Sequence, residues 1–272
     1  MPTPTLGVAI PCYHPHIPRL EQLLLSIEDQ TSRPDEVVVS CSGCTDNDVR
    51  GLLNRWSFPV TIKTHPARKN AAQNRNIAAR ALGTEYVSFF DADDIMHPQR
   101  LEIIRHAFAT TRVDLVMHGC LSPPSPEFAQ PFQIYPRPWP LSVNPAGRKA
   151  PEQATRFAPH HGQLSATREL VRTVAFPENL SLERREDSEF VDQVIARAGT
   201  RSAFIDLALS KYETAGSWVG APEGSGVYAL DWTARFGYSV LALPGLKRSR
   251  LFSALQSTWR ALPLSIRGRF LR

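Results

Sequence analysis

The side chains best suited to chemistry in this sequence are the carboxylates that follow an apolar run. The run Tyr86–Phe90 ends in the acids Asp91, Asp93 and Asp94, a pattern typical of a buried strand that stops at an acidic cluster. Carboxylate oxygens at such a place suit Mg²⁺ or Mn²⁺, and the cation would neutralise a bound diphosphate. The acids would equally favour the positive end of the helix that follows. The pattern alone leaves a metal site and a helix terminus open.

A second pair of acids, Glu186 and Asp187, stands where a helix is expected to begin. Carboxylates in a first helical turn cap the backbone, and capping alone would explain them. One of them could instead act as a general base that takes the proton of a hydroxyl group. Arg75, on an earlier predicted helix, is the basic counterpart. Its guanidinium could bind diphosphate oxygens in a bidentate way or form a salt bridge on the helix face.

Cysteine and histidine residues give weaker signals. Cys41 and Cys44 form a C-x-x-C pair that could be redox-active or half of a zinc site, but the sequence has no second cysteine pair to complete it. Small residues in a turn are the favoured interpretation, and four scattered cysteines are typical of a reducing compartment. The adjacent His160 and His161 could contact a substrate, although a hydrogen-bonded loop histidine is the more common case.

These residues need a scaffold, and the first 117 residues predict one. Short apolar runs alternate with amphipathic segments, which is typical of β-α-β units and of a largely parallel, Rossmann-like sheet covered by helices. Ligands bind at the carboxyl ends of such strands, so the loops after the strands are the expected site. The predicted strands are Leu6–Ile10, Glu36–Ser40, Val60–Lys63, Tyr86–Phe90 and Asp114–Met117, and the predicted helices are Ile17–Asp29, Asn47–Trp56, Ala71–Leu82 and Pro98–Ala109.

The rest of the chain is organised differently. Ten prolines between residues 119 and 160 predict a long surface connection with little regular structure. We therefore divide the chain into a first half over 1–117, a second half over 118–230 and a tail over 231–272. The predicted elements of the second half are a strand at Gly162–Ala166, helices at Arg168–Thr173 and Ser188–Ala198, and a strand at Ala203–Leu207.

The tail carries more positive charge than the net charge of +5 of the whole chain. Residues 246–272 combine apolar residues with seven lysines and arginines and no acid, the composition of a basic amphipathic helix on an anionic membrane surface. Docking of its apolar face on the rest of the protein or on a second subunit stays open. Without these seven charges the chain is slightly acidic, so we expect no nucleic-acid partner.

Composition bounds the class of protein. With 272 residues, of which 42% are apolar and 21% charged, the chain has the composition of a folded globular protein. We expect no signal peptide, because no apolar run follows a basic N-terminal segment. No stretch approaches the roughly 18 apolar residues of a spanning helix. The expected location is the cytoplasm, with peripheral contact at the inner face of the membrane left to the tail.

In the order of its motifs the sequence resembles family 2 of the inverting glycosyltransferases, which have the GT-A nucleotide-diphospho-sugar-binding fold. The resemblance covers residues 6–218 and rests on segments that are specific only as an ordered set. These segments are Val8-Ala9-Ile10-Pro11-Cys12-Tyr13, Glu36-Val37-Val38-Val39, Gly43-Cys44-Thr45-Asp46, Asn74-Arg75-Asn76, Asp91-Ala92-Asp93-Asp94 and Arg185-Glu186-Asp187.

The resemblance implies transfer of a sugar from a nucleotide-diphosphate sugar to a glycan or lipid-linked acceptor, in glycan or polysaccharide biosynthesis, with Mn²⁺ or Mg²⁺ as cofactor. Residues 1–117 would bind the donor and residues 118–230 the acceptor. Asp187 would be the catalytic base, with Glu186 as the nearest alternative. Arg75 and a metal on Asp91 and Asp93 would stabilise the leaving nucleoside diphosphate. The implied donor-binding residues are Pro11, Tyr13, Cys41, Arg75, Asp91, Ala92 and Asp93.

The sequence departs from the family pattern at two places. Cys41 and Ser42 stand where members often have two acids, the first of which usually contacts the nucleobase, so a preference for uridine is weakened. A late histidine that often helps to hold the metal is absent from residues 211–218. These losses keep open a relative that binds nucleotide sugars or glycans without turnover.

A haloacid-dehalogenase-like phosphotransferase is the other rival. Such enzymes also place an Asp-x-Asp pair after a parallel strand, where the two acids serve as nucleophile and acid. Their pair follows the first strand and precedes Thr or Val, whereas here it follows the fourth predicted strand and precedes Asp94. The pattern therefore fits this rival poorly.

Overall fold

The computed structural model describes residues 3–123, 125–144, 160–178 and 186–212. The strands are β1 Leu6–Tyr13, β2 Glu36–Ser42, β3 Val60–His65, β4 Tyr86–Phe89, β5 Ile95–Met96, β6 Leu115–Leu121, β7 Leu141–Val143, β8 Leu164–Thr167 and β9 Ser202–Lys211. The helices are α1 Ile17–Glu28, α2 Asp46–Val49, α3 Ala71–Ala81, α4 Arg100–Thr111, α5 Arg168–Thr173 and α6 Glu186–Ala198, and short 3₁₀ turns lie at His14–His16, Arg50–Leu52, Pro126–Ala129 and His161–Gln163.

The strands form one mixed sheet in the order β3-β2-β1-β4-β8-β6-β9-β5, with β7 paired to β9. Strands β1 to β4 are parallel to their neighbours within this group, as the alternating pattern predicted. Strand β8 lies between β4 and β6 and is antiparallel to both. The strand that follows β4 in the predicted series is therefore not its neighbour in the sheet, because a later segment of the chain takes that place.

The sheet separates two apolar clusters, and helices cover both of its faces. Leu20 and Leu24 of α1 and Ile104 of α4 pack in one cluster, while Ala78 of α3 and Phe190 of α6 pack in the other. The apolar positions of α1, spaced three and four residues apart, are buried as the helical period requires. The predicted α/β class with helices on both sides of a mostly parallel sheet is confirmed.

Several predicted boundaries were wrong. The helix expected at Asn47–Trp56 is only α2 and a 3₁₀ turn, because Thr45 caps α2 and Asn54 adopts a left-handed backbone with φ of 57°. The proline-rich stretch contains β7, which pairs antiparallel with β9. The residues before β8 form a 3₁₀ turn rather than the start of a strand.

Two predictions concern residues that the structure does not describe. The tail over 231–272, with its basic segment 246–272, lies outside the residues that the structure describes. The same holds for residues 213–218, where the late histidine is absent. Among the described helices, none is long and apolar enough to cross a membrane.

Candidate active site

The carboxyl ends of β1 and β2 meet beside the acids that follow β4. Strand register pairs Cys12 with Cys41 and Tyr13 with Ser42, and Phe89 of β4 pairs with Ala9 on the other side of β1. Asp91 comes two residues after Phe89, so it lies past the end of the pairing between β1 and β4. The parallel arrangement thus brings the predicted donor-binding loops to one edge of the sheet.

Arg75 joins the two halves of the predicted site. Its side chain is 7% exposed, and Nη1 donates to Glu186 Oε1 at 2.9 Å while Nη2 lies 3.3 Å from Asp91 Oδ1. The guanidinium also stacks 5.3 Å from the ring of Phe176. Burial lowers the pKa of Arg75, but Asp91 and Glu186 outweigh it and raise the pKa above its usual value. Arg75 therefore carries a permanent charge that compensates two buried acids.

The two asparagines that flank Arg75 hold the surrounding backbone. Asn74 donates to the carbonyl of Cys12 at 3.2 Å and to Ser42 Oγ at 3.0 Å, which ties α3 to the ends of β1 and β2. Asn76 donates to the carbonyl of Phe176 at 2.9 Å and accepts from its amide at 2.9 Å. Sequence reasoning singled out the Asn-Arg-Asn motif but missed these roles, since an asparagine on a helix does not reveal which backbone it bonds.

Asp91 is the most heavily paired carboxylate of the site. His161 Nε2 lies 2.8 Å from Asp91 Oδ1, opposite the contact with Arg75. Burial opposes ionisation, but His161 and Arg75 together hold the pKa of Asp91 far below its usual range. Burial and Arg75 in turn lower the pKa of His161 to about 4, so the imidazole is neutral at pH 7. Asp91 is therefore an anion at neutral pH.

The three acids after β4 tolerate one another because each meets different charges. Burial and the charge of Asp91 raise the pKa of the Asp93 carboxyl. His16 and Arg19, near the start of α1, oppose this shift. Asp94 is buried near Arg100. Burial lowers the pKa of Arg100 to about 9, and the charge of Asp94 partly opposes this shift. The cluster is thus spread over separate partners, and only Asp91 faces Arg75.

Asp187 lies in the first turn of α6 beside His160. His160 Nε2 is 3.0 Å from Asp187 Oδ2, and the amide of Ser188 donates to Asp187 Oδ1 at 2.7 Å. Burial opposes ionisation here too, but the hydrogen bond from His160 and the nearby imidazole of His161 hold the pKa of Asp187 well below its usual range. The carboxylate is therefore ionised and held in one orientation, and its lowered pKa makes it a weaker base than a free carboxylate.

The predicted nucleobase side of the site has no acid at Cys41. This thiol is fully buried, and a hydrogen bond with Cys12 together with burial raises its pKa far above the usual value. Cys44 donates to the carbonyl of Cys41 at 3.4 Å, and burial raises its pKa to about 12. Both thiols are neutral at pH 7 and make the contacts of a turn. This is the favoured interpretation of the C-x-x-C pair.

Tyr13, Pro11 and Ala92 lie on the same edge. Tyr13 is half-buried, with the guanidinium of Arg68 at 4.9 Å from its ring centre. Gly43 has φ of 70°, and a Cβ there would lie 2.9 Å from the tyrosine ring, so a glycine is required for this close approach. Pro11 is buried near the end of β1, and Ala92 is buried in the loop that follows β4. The described structure places all of the predicted donor-binding residues near these strand ends.

A group of metal-ligating side chains includes two residues to which the sequence assigned no metal role. One ligand atom each from Asp91, His160 and His161 lie within 4.8 Å of one another. Asp93, the other predicted metal ligand, is not in this group. The oxygen and imidazole donors suit Mn²⁺, so the residues fit a divalent cation. Only folding brings the histidines next to Asp91, about 70 residues earlier in the chain.

Comparisons with known proteins agree with this arrangement. Residues 7–164, more than half of the chain, match the family model described as glycosyl transferase family 2. A 97-residue segment is 31% identical to a glycosyltransferase of Haemophilus influenzae, over 36% of this chain and 32% of that protein. A 99-residue segment is 29% identical to the amylovoran biosynthesis glycosyltransferase AmsE of Erwinia amylovora, over 35% of this chain and 37% of that protein. The matches therefore span about a third of each relative's length.

Solved structures give the fold. S. aureus TarS 1-349 in complex with UDP-GlcNAc aligns with a TM-score of 0.63 and 17% identity, over 88% of this chain and 67% of that one. The mannosyltransferase PcManGT from Pyrobaculum calidifontis, in complex with GDP-Man and Mn²⁺, aligns with a TM-score of 0.53 and 22% identity, over 96% and 81%. These likenesses confirm the predicted GT-A fold.

Proposed function

This chain belongs to glycosyl transferase family 2, and we propose that it moves a sugar from a nucleoside diphosphate sugar to an acceptor hydroxyl, with inversion at the anomeric carbon. The observation that carries the proposal is the bridge from Asp91 through Arg75 to Glu186, with Asp187 next in sequence. It joins the donor side of the sheet to a carboxylate suited to proton transfer. Family membership removes the haloacid-dehalogenase-like alternative.

The donor lies at the ends of β1, β2 and β4, where Pro11, Tyr13, Cys41 and Ala92 line the nucleoside. TarS is named with UDP-GlcNAc and PcManGT with GDP-Man, so uridine and guanosine diphosphate sugars are the first donors to test. The neutral thiol of Cys41 offers no carboxylate oxygen to a base N–H. We therefore expect the nucleobase contact to differ from that of relatives with an acid at this position.

A divalent cation, Mn²⁺ or Mg²⁺, held by Asp91 and Asp93 would stabilise the charge that develops on the diphosphate. Arg75 contributes positive charge to the same region. Both of its Nη atoms already contact carboxylates, so its first task is to keep Asp91 and Glu186 in place. If Arg75 also contacts the donor, as the sequence predicts, it does so while it is paired with Asp91 and Glu186.

Asp187 is the base in this proposal. The acceptor oxygen attacks the anomeric carbon, the bond from that carbon to the diphosphate oxygen breaks, and the hydroxyl proton passes to Asp187. The diphosphate leaves with the bonding electron pair. Glu186, the alternative base, has Arg75 on its Oε1 atom at 2.9 Å, so its carboxylate is already engaged in the ion-pair network. This contact favours Asp187 over Glu186 as the proton acceptor.

The acceptor is a glycan or a lipid-linked sugar, bound by the half of the chain over 118–230. The likeness to a protein named for amylovoran biosynthesis supports a place in polysaccharide assembly. We propose a cytoplasmic location with peripheral contact at the membrane through residues 246–272. A relative that binds nucleotide sugars without turnover is the second candidate, favoured by the missing acid at Cys41.

A thermal-shift panel tests the proposal. UDP, GDP, dTDP and CDP are each added with and without Mn²⁺, because a ligand at 100 times its Kd adds about 2.7 kcal/mol of stability. We expect a metal-dependent rise of about 5 °C with one nucleotide. The corresponding nucleotide sugars are then assayed for release of nucleoside diphosphate. No shift with any nucleotide would contradict donor binding, and a shift without turnover of any sugar would support the non-catalytic relative.

A further inference from the structure

We propose that His160 and His161 are ligands of the divalent cation, together with Asp91. The inference rests on the proposed function, because it concerns the cation of the same site. Ligand atoms of these three residues lie within 4.8 Å of one another. Metal bonds to nitrogen and oxygen are about 2.1 Å long, so ligands on opposite sides of an ion are about 4.2 Å apart. The three side chains thus need only small movements to share one ion.

His161 has a ring nitrogen suited to this role. Its side chain is 0% exposed, and Nε2 lies 2.8 Å from Asp91 Oδ1. The other nitrogen, Nδ1, is buried and has no hydrogen-bond partner among the described residues, the nearest carboxylate oxygen being Asp187 Oδ2 at 4.0 Å. An ion shared with Asp91 would take the place of the hydrogen bond between Nε2 and Asp91 Oδ1, and the neutral imidazole would keep its proton on Nδ1.

His160 would bind the ion through its Nδ1 atom. Its Nε2 lies 3.0 Å from Asp187 Oδ2, while the contact of Nδ1 with the amide of Gly162, at 3.4 Å, is long for a hydrogen bond. The ring centres of His160 and His161 are 4.0 Å apart. Metal-binding histidines usually donate their second ring N–H to a carboxylate, which fixes the ring and its tautomer. For His160 this carboxylate is Asp187, on Nε2, and Asp187 Oδ2 is also the carboxylate oxygen nearest to Nδ1 of His161.

Buried hydrogen bonds hold the pair against the strand that leads to Asp91. Arg100 Nη2 donates to the carbonyl of Phe89 at 3.2 Å and to the carbonyl of Gly162 at 3.1 Å. The amide of His160 donates to Gln163 Oε1 at 2.8 Å, which closes the turn over 161–163. The end of β4 and the histidine turn are therefore joined through one buried guanidinium, so the group is organised before any ligand arrives.

The donor set has a consequence for metal choice. Imidazole nitrogen suits Mn²⁺ and later first-row ions, whereas Mg²⁺ and Ca²⁺ prefer oxygen ligands. A site in which two imidazoles join the carboxylates of Asp91 and Asp93 should therefore select Mn²⁺ over Mg²⁺. A site built from Asp91 and Asp93 alone, with oxygen ligands only, would show little such preference.

Mn²⁺ binding to the full chain tests the inference without nucleotide or turnover. Free Mn²⁺ is titrated by electron paramagnetic resonance for the wild type and for His160→Gln, His161→Gln and His106→Gln. His106 is exposed on α4 and serves as the matched control. We expect one bound Mn²⁺ and at least a roughly tenfold loss of affinity in each of the first two variants. The control should stay within twofold of the wild type.

The spin-echo spectrum of bound Mn²⁺ gives a direct readout of the ligands. Modulation from ¹⁴N nuclei should appear in the wild type and the control and should weaken in His160→Gln and His161→Gln. Thermal denaturation without metal shows whether each variant folds. If His161→Gln unfolds because that ring is buried, His160→Gln, whose side chain is 25% exposed, remains the test.

Two results would overturn the inference. One is a wild type that binds no Mn²⁺ by itself, and the other is Mn²⁺ bound without ¹⁴N modulation and with unchanged affinity in both variants. The proposed function would survive either result if the nucleotide panel still gave a metal-dependent shift. Conversely, histidine-dependent Mn²⁺ binding with no nucleotide shift would uphold the metal site and contradict the sugar transfer.

Discussion

The guanidinium of Arg75 lies 2.9 Å from the carboxylate of Glu186, although the two residues are 111 positions apart in the chain. The same guanidinium reaches Asp91, so one buried cation holds together the helix after β3, the loop after β4 and the start of α6. The relationship explains how acids can accumulate at this edge of the sheet. The ion-pair network is therefore expected to contribute to the stability of the fold as well as to the proposed chemistry.

Replacing Arg75 should therefore destabilise the protein. Arg75→Gln leaves Asp91 and Glu186 buried without their cation, and breaking a buried pair in this way costs about 3 kcal/mol. Urea unfolding monitored by circular dichroism measures the change. Arg80→Gln, on the same helix with a 62% exposed side chain, is the control and should change the free energy of unfolding by less than about 0.5 kcal/mol. Equal stabilities of the two variants would contradict the network.

Replacing Asp187 should remove turnover and leave the donor bound. Asp187→Asn keeps the shape of the side chain but cannot take a proton, so kcat should fall by about 10² to 10⁴. The assay is release of nucleoside diphosphate from the donor that the nucleotide panel identifies. Asp192→Asn, on the exposed side of the same helix, should keep wild-type kcat. Unchanged turnover in Asp187→Asn would assign the base elsewhere.

Asp93→Asn should abolish Mn²⁺-dependent nucleotide binding, because we propose this carboxylate as a ligand of the metal that neutralises the diphosphate. Calorimetric titration of the nucleotide in the presence of Mn²⁺ measures the loss. Asp29→Asn, exposed at the end of α1, should bind as the wild type does. If Asp93→Asn still bound nucleotide in a metal-dependent way, Asp93 would be removed from the metal site.

Acid should destabilise the protein through His118. Burial and the adjacent Arg100 hold the pKa of His118 well below its usual value, since its Nε2 accepts from Arg100 Nε at 3.0 Å. Below a pH of about 6.5 the unfolded chain binds a proton at His118 that the folded protein does not. The free energy of unfolding therefore decreases as the pH is lowered. We therefore expect the free energy of unfolding of the wild type to be smaller at pH 5 than at pH 7.

Urea unfolding at several pH values measures this linkage. His118→Gln keeps an acceptor for Arg100 and cannot titrate, so the pH dependence of its stability should be shallower than that of the wild type. Curves of equal slope would show that His118 takes up its proton equally well in both states.

The basic tail predicts a separation between membrane and nucleotide binding. Truncation after Asp231 should reduce binding to vesicles of anionic lipid more than it reduces nucleotide binding, because each basic residue near such a surface contributes about 1 kcal/mol. Vesicle cosedimentation at low and physiological salt measures the first property. Equal vesicle binding by the truncated and full chains would favour docking of the tail on protein.

Much of the donor side of the fold was predictable because its signals are local. Apolar runs such as Tyr86–Phe90 and the spacing of Leu20, Leu23 and Ile27 depend on the strand and helix periods alone. The prediction failed where distant segments decide the outcome. Strand β8 pairs with β4 and β6, and no local pattern reveals that a strand after a proline-rich stretch takes that place.

The sequence by itself determined the chemistry that is available: acids at the end of β4, acids where α6 begins, an arginine on α3 and a family resemblance that orders them. Only the tertiary structure decided which of these side chains meet. Arg75 was expected at the donor and lies between Asp91 and Glu186, and two histidines described as loop residues lie beside Asp91. Such contacts depend on how the sheet brings distant strand ends and turns together. The physical reason is that the hydrophobic period of a segment depends on local sequence and predicts which face of the element is buried. The partner of a buried charge, by contrast, depends on which distant segments the tertiary structure brings next to it.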